Sequence, residues 1–282
     1  MNPTSSVLFN KIIQCPNLSK LSGNCGTILD TQSCCYRRQV PEPWSGDIDN
    51  APFLIIGSNP AFVCNEVFPS KDSSWGNWID MGDGKTTWNK ILAENYFEGR
   101  FGIAICPANR SPYYNPTNGT VLSITPTGIA PQKVQNQYWK TYNDYCRAIC
   151  ATLHDINCAI TDLVHCKSPK QTGVSQAVKT CIRFTEEVIE LFAQNGATNR
   201  SILLIGSGSA SKRLTSVFDK WGGLNAPSPV GNFNRSGVHN DIFKSSIVIC
   251  GQSIDVYYNI PAPSGANRAS CPVTLNGVKI KW

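Results

Sequence analysis

The chain lacks the long apolar segments that membrane insertion and export require. Its 282 residues contain no run of eighteen apolar residues, so we expect no transmembrane span. The N-terminus, Met-Asn-Pro-Thr-Ser-Ser, has neither the basic start nor the apolar core of a signal peptide. The sequence therefore predicts a cytoplasmic protein.

Histidine is scarce, and this narrows the enzyme classes. The only three histidines are His154, His165 and His239, and no nucleophile elbow accompanies them, so a Ser–His hydrolase triad is excluded. The segment that begins at Gly206, Gly-Ser-Gly-Ser, lacks the full Gly-x-Gly-x-x-Gly pattern and does not lie in the first βα turn. We interpret it as a structural turn. His165 adjoins Cys166, where it would support the loop or contact a phosphate.

Cysteine is abundant by contrast. The chain has thirteen cysteines, and an odd number without an export signal argues against a disulfide scaffold. Four of them occur in apolar runs and are predicted to be small core residues: Cys64, Cys106, Cys158 and Cys250. Four others occur in a polar, loop-like segment, at Cys15, Cys25, Cys34 and Cys35. Thiols on such a segment are better suited to ligating a metal than to packing.

Charge and apolar content indicate a globular protein with a possible polyanionic partner. Hydrophobic residues make up 41% of the chain and the net charge is +6. A basic surface favours nucleic acid through counterion release, although many ordinary enzymes carry as much charge. Charge alone leaves both alternatives open.

Apolar runs alternate with helical patterns along most of the chain. Strands are predicted at 53–56, 101–106, 158–164, 201–205, 245–250 and 254–259, and helices at 6–13, 87–95, 137–153, 175–195 and 209–219. Residues 1–50 form a loop-rich, cysteine-bearing segment, and the proline-rich stretch 107–135 is predicted to be a surface insertion. This alternation predicts an α/β domain with a parallel sheet and helices on both faces. Functional groups should then gather at the carboxyl ends of the strands.

Three motifs carry a resemblance to a known family. They are Gly57-Ser-Asn-Pro-Ala, the stretch from Asp162 to Cys166 with Cys181 following after fourteen intervening residues, and Ile260-Pro-Ala-Pro-Ser-Gly-Ala-Asn-Arg. In this order they resemble the iron–sulfur branch of the uracil-DNA glycosylase superfamily. The resemblance implies one uracil-DNA glycosylase-like domain over residues 1–282. Its expected fold is a three-layer α/β/α arrangement around a central, mostly parallel sheet of four to five strands.

The same resemblance implies an activity and a partner. The protein would be a DNA glycosylase that flips a deaminated base out of DNA and hydrolyses its N-glycosidic bond in base excision repair, with uracil as the first candidate. We expect a monomer, located in the cytoplasm with the nucleoid, that binds DNA containing a damaged base. No membrane contact is expected.

The first two motifs supply the expected catalytic residues. Asn59 matches the position that holds the attacking water, flanked by Gly57 and Ser58 as substrate contacts, and Phe68 (with Phe62 as the alternative) would stack on the base. Asp162 occupies a position where uracil-reading relatives often carry Asn. Because an ionised carboxylate only accepts hydrogen bonds, either the substrate is not simply uracil or Asp162 is protonated. The structural alternative is an aspartate that caps the next turn.

The third motif implies DNA contacts and also contains a departure from the family. Ser264 takes the phosphate-binding position, Gly265 and Ala266 allow close backbone approach, and Asn267 and Arg268 are candidates for the wedge and a phosphate contact. Relatives carry His or Asn where this chain has Ala262. The chain therefore lacks a side chain that stabilises the negative charge on the leaving base. The alternative is therefore a non-catalytic iron–sulfur protein that binds damaged or abasic DNA. A third possibility is a fold relative that acts on a free nucleoside or on RNA.

The resemblance also implies a metal centre. Cys15-Pro-Asn-Leu is similar to an N-terminal Cys-Pro-x-Leu signature, and Cys166-Lys-Ser-Pro to a Lys-Cys-x-Pro-Pro element. Ile12 stands where a Cys-x-x-Cys partner would be, so the fourth ligand must come from Cys25, Cys34 or Cys35, and we choose Cys25. The expected cofactor is a four-iron, four-sulfur cluster, with zinc as the alternative. Its ligands would be Cys15, Cys25, Cys166 and Cys181.

Overall fold

A computed structural model of the chain describes residues 2–19, 23–32, 41–60, 114–115, 120–125, 128–132, 137–151, 158–263 and 272–280. The helices are Pro3–Ile13 (α1), Gly26–Asp30 (α2), Gln137–Ile149 (α3), Val174–Gln194 (α4) and Ser209–Thr215 (α5), with short 3₁₀ turns at Pro16–Ser19, Gly23–Cys25, Pro169–Gln171 and Ser216–Trp221. The strands are Phe53–Gly57 (β1), Tyr114–Asn115 (β2), Thr120–Thr125 (β3), Gly128–Gln132 (β4), Cys158–Asp162 (β5), Ser201–Ile205 (β6), Ser228–Arg235 (β7), Val238–Ile249 (β8), Gln252–Ile260 (β9), Val273–Leu275 (β10) and Val278–Ile280 (β11).

One curled, mixed sheet of eight strands dominates the fold. Its order is β11-β10-β7-β8-β9-β6-β1-β5. The four strands β5, β1, β6 and β9 are mutually parallel, and every pairing from β9 to β11 is antiparallel. β1 lies between two parallel neighbours, which explains why its sequence, Phe-Leu-Ile-Ile, is apolar on both faces.

The predicted three-layer α/β/α fold with a four- to five-stranded, mostly parallel sheet is wrong. The finding that overturns it is the antiparallel half of the sheet, which adds β7, β8, β10 and β11 to the parallel strands. The two late runs predicted as further α/β strands are β8 and β9. They are joined directly through Cys250 and Gly251, and a parallel pair would need a crossover of a dozen residues or more.

Three turns of one kind build this antiparallel half. Ser236-Gly237 joins β7 to β8, Cys250-Gly251 joins β8 to β9, and Asn276-Gly277 joins β10 to β11. Both residues of each turn have positive φ, for example 51° and 76° at Cys250 and Gly251. That conformation matches the twist of a two-residue hairpin, and glycine adopts it at no steric cost.

Each face of the sheet has its own core. Leu54, Ile56, Ile202 and Leu204 point to a core that includes α1, α4 and the 3₁₀ turn at Ser216–Trp221. The alternate residues face a second core with the buried side chains of α3, which are Tyr142, Tyr145, Cys146 and Ala148. Strand β9 contributes to both cores, since Ile254 and Val256 face one and Tyr257 faces the other.

The remaining expectations have mixed outcomes. The strands predicted at 53–56 and 201–205 and the helices at 6–13 and 175–195 are confirmed, with small shifts of their ends. The predicted helix at 87–95 and strand at 101–106 lie outside the described residues. Within the predicted insertion at 107–135, strands β2, β3 and β4 form a separate antiparallel sheet. None of the described helices is long and apolar enough to cross a membrane.

Candidate functional site

The first two motifs lie side by side at the carboxyl edge of the parallel strands. Leu163 N–H donates to the carbonyl of Gly57 at 2.8 Å, and Val164 N–H donates to the carbonyl of Ser58 at 3.0 Å. Further on, Ser168 N–H donates to the Pro60 carbonyl at 3.3 Å. The two loops therefore continue the pairing of β1 with β5 beyond the ends of these strands.

Gly57 and Asp162 are register partners at the end of this pair of strands. A Cβ atom placed on Gly57 would lie only 2.3 Å from Oδ1 of Asp162, so the carboxylate rests directly against the glycine. Asp162 is half-buried in this position. An alanine at position 57 would therefore have to displace the carboxylate of Asp162.

Asn59 is held with its amide in a defined orientation. Its Nδ2 donates to the Pro60 carbonyl and to Ser168 Oγ, both at 2.9 Å. These two bonds use both amide protons, so the remaining polar atom, Oδ1, can only accept. An acceptor with a fixed direction is what a water-orienting group needs.

The four cysteines proposed as metal ligands line one narrow cavity beside these loops. Cys15 follows α1, Cys25 ends the 3₁₀ turn before α2, Cys166 follows β5, and Cys181 lies within α4. All four are buried, with 4–6% of their surface exposed. Four separate segments of the chain therefore bring thiols to one place, although the described part of the chain has no three ligand-type side chains gathered as tightly as one metal ion needs.

The electrostatics of the thiols reflect their proximity. A hydrogen bond with Cys181 lowers the pKa of Cys25 to about 7, and the same bond raises the pKa of Cys181 well above its usual value. Burial raises the pKa of Cys166, and charges on Cys15 and Cys25 raise it further. Burial also raises the pKa of Cys15. Because four neighbouring buried thiolates repel one another, ionising all of them requires a positive metal centre between them.

A buried network supports the loop that carries Cys166. The Nδ1 atom of His165 donates to the Glu42 carbonyl at 2.6 Å, and Glu42 N–H donates back to the His165 carbonyl at 2.8 Å. Burial lowers the pKa of His165 to about 4, so the ring is neutral near pH 7. Its Nε2 atom lies 3.3 Å from Thr185 Oγ1 on α4. His165 therefore supports the loop, and its burial keeps it from contacting a phosphate.

Lys167 adds a charge to the same network. The side chain is 1% exposed, and its Nζ lies 3.2 Å from Glu42 Oε1. The backbone carbonyl of Lys167 accepts a bond from Gln32 Nε2 at 2.8 Å. Segment 41–44 and the end of α2 are thus fastened to the cysteine loop.

The third motif begins at the same edge of the sheet. Its described part, 260–263, follows β9, whose neighbour β6 lies beside β1. The Ile260 carbonyl accepts from Gly206 N–H at 2.8 Å, and the Pro261 carbonyl accepts from the Tyr145 hydroxyl at 3.0 Å. Ala262 is half-buried against the core that contains α3. The predicted residues Phe68, Ser264, Gly265, Asn267 and Arg268 lie outside the described residues, as do Cys34 and Cys35.

Sequence reasoning missed the residues that hold the site together. Ser168, which fixes the Asn59 amide, and the pair of Glu42 with Lys167 were not identified as supporting groups. A signal was present, since Lys167 and Ser168 directly follow a cysteine that was predicted to be a metal ligand. One of the predicted core cysteines was also wrong: Cys250 is exposed in the turn between β8 and β9, whereas Cys158 is buried as expected.

No family model matches the chain, and no curated protein matches it. The resemblance to the glycosylase superfamily therefore stays a prediction that rests on the motifs and on the geometry of the described residues.

Proposed function

We propose that the protein is an iron–sulfur DNA glycosylase that removes a deaminated base, with uracil as the first candidate. The observation that carries the proposal is the convergence of Cys15, Cys25, Cys166 and Cys181 beside the Asn59 loop. Two of these cysteines lie in the N-terminal segment, at positions 15 and 25, and the other two follow much later in the sequence, at positions 166 and 181. Their grouping around one cavity is expected if they share a ligand, and the alternative is that they only pack in the core that contains α1 and α4.

The donor set suits the proposed cofactor. Four thiolates are the usual ligands of a four-iron cluster, and His165, which also lines the cavity, has both ring nitrogens engaged elsewhere. Zinc can take the same four thiolates but needs every sulfur about 2.3 Å from a single ion. Both metal centres would use the same four thiolates, and the resemblance to the glycosylase branch is what favours the cluster. A metal centre bound by the four cysteines would join the segments that carry them and hold the Cys166 loop in place.

Asn59 and Asp162 would act directly on the substrate. The flipped nucleotide would enter at the carboxyl edge, where Asn59 Oδ1 accepts a hydrogen bond from the attacking water. The glycosidic bond breaks with its electron pair leaving on the base. The water oxygen then bonds to the sugar cation, and the proton that the water loses passes to the released base anion. An amide cannot take that proton efficiently, which favours such a dissociative reaction. Asp162 would face the base edge, as an acceptor when ionised or as a donor when protonated.

A second candidate function is binding without turnover. Ala262 is the observation in its favour, because a methyl group cannot donate a hydrogen bond to the leaving base. The protein would then recognise damaged or abasic DNA and leave it intact. Both candidates place DNA at the same edge of the sheet.

Strand scission after alkali separates these functions. Labelled oligonucleotides carrying uracil, hypoxanthine, xanthine or normal bases are incubated with the wild-type protein and with Asn59→Ala and Asn50→Ala. We expect cleavage of one modified substrate, a loss on the order of a hundredfold for Asn59→Ala, and no change for Asn50→Ala, whose side-chain amide donates to the nearby Asp47. Binding without cleavage would support the second candidate. If the wild-type protein neither binds nor cleaves any of these DNAs, both candidate functions are contradicted.

A further inference from the structure

The hairpin formed by β7 and β8 extends past its neighbours at the carboxyl edge of the sheet. Phe243 of β8 pairs with Tyr258, and β9 ends two residues later. β8 extends from Phe243 back to Val238, so residues 238–240 lie beyond the end of β9. At about 3.4 Å per residue, the tip therefore projects by roughly 10 Å beyond the end of β9. On its other side, β10 pairs with β7 only as far as Phe233. The last residues of the hairpin have no strand beside them among the described residues.

The tip is exposed along its whole length. Residues 234–239 are all exposed, and Val238 has 60% of its surface accessible. Arg235 and Val238 are directly paired across the turn, so their side chains lie on the same face. That face also carries Phe233, which belongs to the same core as Ile260 at the start of the third motif. A cation and an apolar side chain are thus presented together on the side of the third motif.

Two contacts fix the hairpin against the edge of the site. Arg235 Nη1 lies 3.5 Å from Ser207 Oγ, in the turn that follows β6. Asn259 joins the same turn to β8, since its Oδ1 accepts from Gly208 N–H at 3.1 Å and its Nδ2 donates to the Asp241 carbonyl at 2.7 Å. Asn259 has φ of 61° at a bulge in the pairing of β6 with β9. This bulge holds the base of the hairpin in a fixed position.

The charges near the tip are suited to a polyanion. Arg235 supplies the charge of the tip, since it is the one lysine or arginine between residues 228 and 240. Residues 228–240 contain no carboxylate, and Asp241 alternates onto the opposite face, where it pairs with His239 at 3.2 Å. An arginine beside an exposed valine fits a nucleic-acid backbone, which offers a phosphate next to the apolar edge of a sugar.

We propose that the β7–β8 hairpin binds duplex DNA beside the flipped nucleotide. Arg235 would bind a backbone phosphate, and Val238 would pack against the adjoining deoxyribose. This inference rests on the proposed function, since it assumes that DNA enters at the carboxyl edge. It assigns a DNA contact to the antiparallel half of the sheet, separate from the three motifs.

The test measures binding separately from catalysis. Fluorescence anisotropy follows the titration of a labelled duplex with a stable abasic analogue at several salt concentrations between about 50 and 200 mM. We expect Arg235→Gln to weaken binding on the order of tenfold and to reduce the slope of log affinity against log salt by about one. Arg235→Lys should keep the slope. Val238→Ser should weaken binding about fourfold with the slope unchanged, because it removes an apolar contact.

Arg147→Gln is the matched control. Arg147 is exposed on α3, next to Ala148, whose carbonyl accepts from Asn276 in the turn between β10 and β11. Register places that turn at the other end of the sheet from the hairpin tip, because Leu275 pairs with Gly231 and not with Arg235. The control should retain both affinity and slope. Thermal unfolding of each variant shows whether a loss of binding reflects a loss of folding.

The outcomes distinguish this inference from the proposed function. Unchanged affinity and slope for a folded Arg235→Gln, with DNA binding by the wild type, would overturn the hairpin contact and leave the proposed function standing. Arg235-dependent binding without cleavage would support the hairpin and contradict the glycosylase. Tighter Arg235-dependent binding to an RNA duplex would overturn DNA as the partner. No binding to any duplex by the wild type would overturn both proposals.

Discussion

At the scale of single residues, the site depends on one close approach. Gly57 ends β1 with the carboxylate of Asp162 against its Cα, and the loop that follows carries Asn59. A side chain at position 57 would displace the carboxylate, and with it the residue proposed to read the base. The sequence alone showed a glycine at the end of a strand but not which group approaches it, because that approach depends on the register between β1 and β5.

Gly57→Ala should therefore destabilise the protein. The new Cβ would lie 2.3 Å from Asp162 Oδ1, and relieving the overlap should cost about 1–3 kcal/mol in the free energy of unfolding, measured with urea. Gly196→Ala is the matched control, since its Cβ would meet no atom within 4 Å and its φ is not positive. If the overlap is the cause, Asp162→Ala in the same chain should remove most of the cost. Equal stabilities of the two alanine variants would contradict the close approach.

At the scale of elements, the parallel strands were predictable. Of the antiparallel strands, only the end of β8 was predicted, as part of a parallel sheet, and β7, β10 and β11 were missed. Buried apolar runs bounded by glycine identified β1 and β6 because a strand covered on both faces is apolar throughout. The hairpin strand β7 has a mixed pattern with several asparagines, and β10 and β11 have three residues each. The available signal was a set of three dipeptides ending in glycine, Ser236-Gly237, Cys250-Gly251 and Asn276-Gly277, of which Asn-Gly is typical of a two-residue hairpin turn.

Cys250→Asn should stabilise the protein through the turn between β8 and β9. Cys250 has φ of 51°, a region that asparagine tolerates better than other non-glycine residues, and Asn-Gly is the preferred pair for this turn. We expect a gain of about 0.5–1 kcal/mol in urea unfolding, despite loss of the contact from Gln194 Nε2 to the thiol. Cys250→Val should lower stability, because a branched side chain is strained at this φ. The reverse order of the two variants would contradict the hairpin.

The thiols also belong to the scale of elements, since each comes from a different one. The sequence pattern identified Cys166 and Cys181 by their spacing, but it left three choices for the fourth ligand. Cys25 lines the cavity with the other three, because the 3₁₀ turn at Gly23–Cys25 contacts α4, where Asn24 Nδ2 donates to Thr180 Oγ1. A loop without periodicity gives no sequence signal for such a contact. The cavity lining agrees with the choice of Cys25, whereas Cys34 and Cys35 lie outside the described residues.

At the scale of the whole molecule, the four thiols connect the N-terminal segment to the sheet. Cys15 and Cys25 belong to residues 1–50, Cys166 follows a central strand, and Cys181 lies on α4, which packs against one face of the sheet. A group bound by all four would cross-link these parts. Since it would bind only the folded chain tightly, its binding energy would add to the stability of the whole fold.

Removal of the metal should therefore weaken the entire fold, most visibly in the N-terminal segment. Protein purified without oxygen should be brown and contain iron, and after chelation we expect a loss on the order of 3 kcal/mol, which lowers the thermal midpoint by about 6–12 °C. Protease cleavage within residues 1–50 should become faster.

Cys15→Ser should reproduce the chelated state, whereas Cys250→Ser should keep colour and midpoint, because Cys250 is exposed far from the cavity lining. A colourless protein with one bound zinc would replace the cluster with the alternative metal. A metal-free protein whose midpoint resists chelation would show that the thiols only pack.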